Sequence, residues 1–94
     1  MRENEFTKKT ILVIDDTPDN LFLVSTLLKD LYVVKVANSG EKALKFLNET
    51  LIPPDLILLD INMPEMDGFE TCKVLKSQKS FAEIPILFLT ARTD

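Results

Sequence analysis

An α/β domain built on a parallel sheet is the fold class this 94-residue sequence predicts. Three observations predict it. The run Leu56-Ile57-Leu58-Leu59 is apolar without alternation, as expected of a strand buried on both faces by flanking helices. The intervening segments carry apolar residues at helical spacing, giving the order β-α-β-α-β-α-β, and such alternation implies right-handed crossovers between parallel strands. Acids or a hydroxyl follow the apolar runs directly (Asp15-Asp16, Asp60, Thr90), at the edge where sheets of this kind place their ligands.

The first strand is expected at Thr10 to Ile14, β-branched and apolar up to Asp15 and Asp16. The first helix follows at once. Thr17 can cap it, Pro18 suits its first turn, Asp19 suits its positive end, and Leu21, Val24, Leu27 and Leu28 form a stripe that reads as core. Tyr32 to Val36, more mixed in polarity, reads as a second strand nearer a sheet edge. Asn38 followed three residues on by Glu41 is a candidate capping box for a second helix, with Ala43, Leu44 and Leu47 on one side. Ile52-Pro53-Pro54 stops that helix. The third strand, Asp55 to Leu59, delivers Asp60, and Gly68 then leads into a helix with Phe69, Cys72 and Leu75 at three-residue spacing. Cys72 reads as a small buried apolar group, and Ser77 to Glu83 as a polar link. Pro85 opens the fourth strand, Ile86 to Leu89, which ends at Thr90.

Composition narrows the function. With 46% of residues apolar the chain is one globular domain, and Met1 to Lys9 reads as a flexible N-terminal tail ahead of a domain spanning 10–94. A net charge of -4 argues against a nucleic-acid surface. The one cysteine cannot form an internal disulfide, histidine is absent, and no zinc-spaced cluster exists. Neither a signal peptide nor a membrane-spanning run is present, so a cytoplasmic chain is expected.

Taken singly, each polar strand-end residue has a plain structural role. Asp15 and Asp16 could cap the first helix, Asp60 could open a turn, and Thr90 could satisfy backbone. Taken together, side chains at the carboxyl ends of neighbouring strands converge, and three acids in one crevice repel each other. Either some stay protonated or a divalent cation neutralises them; hard oxygen ligands suit Mg²⁺, which favours phosphoryl chemistry with Asp60 as a possible nucleophile.

Asp15-Asp16, Asp60 with Met63-Pro64 and Asp67-Gly68, and Leu89-Thr90-Ala91 closely resemble the receiver domain of two-component response regulators, chemotaxis regulators among them, from about Lys9 to the C-terminus. The resemblance implies a flavodoxin-like three-layer sandwich with strand order 2-1-3-4. It implies that Asp60 accepts a phosphoryl group from a phosphohistidine of a histidine kinase or phosphotransfer protein. By the same resemblance Asp16 is a direct Mg²⁺ ligand, Asp15 acts largely through water, the backbone carbonyl of Asn62 completes the coordination, and the Thr90 hydroxyl contacts the phosphoryl group. Such a domain is a switch rather than a turnover enzyme.

The sequence departs from the family by lacking the fourth helix, the fifth strand with its phosphate-pairing lysine, and the fifth helix, which reads as a C-terminal truncation. The sheet edge and face left uncovered are expected to promote self-association or marginal stability. Two alternatives follow: a receiver-like interaction module that is never phosphorylated, and, more weakly, a phosphatase of the haloacid dehalogenase kind. The second wants an acid two residues after its nucleophile on the first strand, where Thr17 and Pro18 stand.

Overall fold

The computed structural model describes residues 8–63 and 66–89. Along the chain it forms β1 (Thr10–Ile14), α1 (Pro18–Leu28), β2 (Val33–Ala37), α2 (Gly40–Glu49), β3 (Leu56–Asp60), α3 (Gly68–Ser77) and β4 (Ile86–Leu89). All three strand pairings are parallel and the order is β2-β1-β3-β4, the flavodoxin-like arrangement expected. The second strand stands at an edge, as its mixed polarity implied. β1 and β4 have the expected bounds, whereas β2 and β3 each lie one residue later than the sequence indicated.

Right-handed crossovers fix the layers. The step from β1 to β2 runs one way across the sheet and the later steps run back, so α1 covers one face while α2 and α3 cover the other. The continuous core lies on the two-helix side: Leu12, Ile14, Ile57 and Leu59 from the sheet meet Ala43 and Leu47 of α2, Leu75 of α3, and Met63. Two further members, Phe81 and Ile84, come from the connection after α3. That connection is therefore more than the polar link expected of it. Lys76 fastens it by donating from Nζ to the carbonyls of Ala82 and Ile84 at 2.9 and 3.0 Å.

The α1 side is thinly covered, and here several expectations are corrected. β3 alternates buried and half-buried positions instead of being buried on both faces, because Leu56 and Leu58 point to the side with a single helix. The stripe on α1 does not reach a core: Leu21, Val24 and Leu28 are half-buried, and Leu27 is 70% exposed. On α3, Phe69 is exposed and Cys72 half-buried, so Thr71 and Leu75 carry the buried face.

Helix starts follow local chemistry. Pro18 opens α1 as expected, but Thr17 makes no side-chain cap bond. The capping box at Asn38 is replaced by Ser39, one residue later, whose Oγ accepts from the Lys42 amide at 3.0 Å. Of the tail expected over 1–9, residues 1–7 lie outside the described residues, and the Lys9 carbonyl accepts from the Val33 amide at 2.9 Å.

Candidate phosphoryl-acceptor and cation site

Strand register assembles the site. Ile14 on β1 stands opposite Leu59 on β3, so the next residues, Asp15 just past β1 and Asp60 at the end of β3, stand side by side. Val13 and Leu58 are also in register, and the two acids follow that same face. Carboxylate oxygens of Asp15, Asp16 and Asp60 lie within 4.8 Å of one another. Residues up to 45 positions apart in sequence thus share one pocket.

Each acid has its own surroundings. Asp15 is only 3% exposed, and both its oxygens are engaged. Oδ1 accepts from the Thr17 amide at 2.9 Å and Oδ2 from the Asn20 side-chain amide at 3.2 Å. Asp16 and Asp60 are the more open members. Asp60 Oδ1 accepts from the Asn62 amide at 3.2 Å. Burial raises the Asp60 carboxyl above its ordinary value; the Asn62 amide opposes the rise, while the charges of Asp15 and Asp16 and a direct contact with Asp15 add to it.

An all-oxygen donor set of three carboxylates suits a hard divalent cation. Magnesium at about 2.1 Å from its ligands places adjacent oxygens about 3 Å apart and opposite ones about 4 Å apart. The three carboxylates, with oxygens within 4.8 Å of one another, lie close to that range. The residues present therefore fit Mg²⁺.

Ile61, just after Asp60, is tied to the start of α3. The amides of Met63 and Gly68 both donate to the Ile61 carbonyl, at 3.3 and 2.9 Å, and the Met63 side chain is buried in the core. Asp67 caps α3 by accepting from the Glu70 amide at 2.8 Å, and its carbonyl accepts from the fully buried Thr71 hydroxyl at 2.9 Å. Gly68 lies so close to the Asp60 and Ile61 backbone that a Cβ there would stand 2.6 Å from Ile61 Cα and closer still to the Asp60 carbonyl oxygen. Gly40 is similarly constrained, since a Cβ would meet the Thr71 hydroxyl and stand 3.0 Å from Met66 Sδ.

Of the predicted site residues, Asp15, Asp16 and Asp60 come together, and Asn62 touches Asp60 through its amide. Thr90 lies outside the described residues, as do Pro64 and Glu65. The sequence reading missed Asn20. A signal existed: Asn20 is the third residue of a helix opening directly after Asp15 and Asp16, and a side chain at that position commonly reaches back past the helix start.

Comparison with known proteins agrees with this geometry. The sequence profile of the response regulator receiver domain matches residues 11–94. A probable cyclic di-GMP phosphodiesterase of Vibrio cholerae is 40% identical over 94 residues, the whole of this chain and 21% of that protein. The chain thus spans about a fifth of that relative's length. Among solved structures, the N-terminal domain of a response regulator receiver protein from Methanoculleus marisnigri superposes with a TM-score of 0.83 at 46% identity, covering 89% of this chain and 68% of that one. The receiver domain of a signal transduction histidine kinase from Syntrophus aciditrophicus gives 0.81 at 36% identity, covering 92% and 64%. Profile, relatives and acidic pocket coincide, and the chain belongs to the response regulator receiver domain family of two-component signalling.

Proposed function

We propose that this receiver domain is a phosphoacceptor, with Asp60 taking a phosphoryl group from a phosphohistidine of a histidine kinase or phosphotransfer protein. The gathering of Asp15, Asp16 and Asp60 in one pocket carries the reading. Asp60 Oδ1 is occupied by the Asn62 amide, which leaves Oδ2 as the attacking oxygen. The new bond joins that oxygen to phosphorus, the phosphorus–nitrogen bond to the donor imidazole breaks, and the imidazole retains the electron pair and takes up a proton.

Asp15, Asp16, Asp60 and the backbone carbonyl of Asn62 are the groups assigned to Mg²⁺, which when bound neutralises charge on the transferring phosphoryl oxygens. The Thr90 hydroxyl is assigned to the phosphoryl group after transfer. One phosphoryl group is accepted per cycle, which is signalling rather than turnover of a substrate pool. A cytoplasmic location suits such a partner. No helix among the described residues is long and apolar enough to cross a membrane.

The test is incubation with Mg²⁺ and acetyl phosphate followed by intact-mass measurement. A single alkali-labile phosphate adduct that requires Mg²⁺ is the expected result. A folded protein that stays unmodified would instead favour the interaction module.

That second reading rests on the thin α1 side. On that side Leu87 of β4 is 57% exposed and Phe22, Leu23 and Leu27 stand out from α1, while Phe88 lies on the other face against Phe69 of α3, ring centroids 5.3 Å apart. Among the described residues the outer edge of β4 has no strand partner. Such an edge and patch favour pairing with a second copy. Sedimentation should show a concentration-dependent dimer, and a monomer at every concentration tested would remove self-association from the reading.

A further inference from the structure

Asn20, in the first turn of α1, donates to the Asp15 carboxylate. Asp15 is the most buried of the three acids, and its two recorded donors, the Thr17 amide and the Asn20 side chain, are both neutral. The Thr17 bond spans two residues and fixes one oxygen relative to the local turn. It leaves rotation about the terminal torsion, which is broad for an aspartate. Asn20 closes that freedom from the first turn of α1 by donating to the other oxygen.

Crowding makes this hold consequential. Like charges at this separation drive carboxylates apart, and an aspartate with one free oxygen would turn away from Asp60. Asn20 is well suited to resist that turn: a side-chain amide donates to a carboxylate without adding a fourth negative charge, and it leaves a second lone pair on Oδ2 free.

We propose that Asn20 is a positioning residue of the cation site, holding the buried Asp15 carboxylate turned toward Asp16 and Asp60. The inference rests on the reading of those acids as a Mg²⁺ site. Outer partners of metal-ligating carboxylates contribute about tenfold or more to affinity by fixing ligand orientation. Asn20 supplies this from α1, so the first helix helps to determine how tightly the pocket holds a divalent ion.

The test is Mg²⁺ binding by isothermal titration calorimetry on the protein as it stands, with Asn20→Leu, Asp15→Asn and the double substitution. Asn20 is exposed and Leu is a good helix former, so the single variant should fold, which circular dichroism checks. Asn20→Leu should weaken binding about tenfold. In the Asp15→Asn background the same change should have no further effect, because the group that it positions is gone. A purely structural role for Asn20 would move the melting temperature and leave the magnesium dissociation constant alone. Equal affinity in the original protein and Asn20→Leu, or equal losses in both backgrounds, would overturn the inference. Absence of Mg²⁺ binding by the original protein would instead overturn the cation-site reading on which it rests.

Discussion

Asp60→Asn should erase the phosphate adduct and, in magnesium-free buffer at pH 7, give the more stable protein. The first effect is the loss of the attacking carboxylate oxygen, for which an amide is no substitute, and intact mass after acetyl phosphate treatment should show only background. The second follows from the pocket. Burial, together with the charges of Asp15 and Asp16, raises the Asp60 carboxyl above its ordinary value of 3.8, so the folded protein binds this proton more tightly than the unfolded chain does. The stability associated with that proton is fully present below the ordinary value and is lost as pH rises through the raised folded value.

At neutral pH the ionised Asp60 therefore opposes folding, and the neutral amide removes the opposition. Urea unfolding of the two proteins should show the advantage of Asp60→Asn at pH 7 shrinking as pH falls below the ordinary carboxylate range. Saturating Mg²⁺ should stabilise the original protein more than the variant, because the substitution takes one carboxylate from the proposed cation site. An Asp60→Asn protein less stable than the original at pH 7 without the ion would contradict the crowded-pocket account.

Gly68→Ala carries the second large effect. The added methyl would stand 2.6 Å from Ile61 Cα and press on the Asp60 carbonyl, and neither can rotate away because both belong to the backbone. Overpacking of this kind costs about 3 kcal/mol when no flexible side chain can yield. In a domain of this size the melting temperature should fall by roughly 10–20 °C. The alternative to unfolding is displacement of the Asp60–Ile61 backbone, and Gly68→Ala should then take up phosphate far more slowly even when mostly folded. Lys73→Ala, an exposed change on the same helix, should be nearly neutral in both measurements. Near-native stability and phosphate uptake in Gly68→Ala would show that the approach of α3 to Asp60 is looser than described.

How far the sequence disclosed these features depended on how local each determinant was. β1 and β4 were legible because short β-branched and apolar runs bounded by acids or proline have few other solutions. The three acids were legible because the alternation of elements brings successive carboxyl ends to one edge. Burial of α1 was not, since Leu21, Val24 and Leu27 have helical spacing whether or not anything covers them, and only the tertiary layout shows one helix lying over that side. Phe81 escaped for the opposite reason: it sits in a polar segment, and its place in the core depends on where α3 ends and β4 begins. The cap at Ser39 in place of Asn38 is a shift of one residue that either side chain could satisfy.

The small gap at Gly40 has a mechanical consequence. With the first turn of α2 seated against the buried Thr71 hydroxyl, and Thr71 bonded to the Asp67 carbonyl, the leading ends of two helices are joined edge to edge with no slack between them. A shift of the leading end of α3 toward α2 would press Thr71 on Gly40, so the two helix starts are expected to move together.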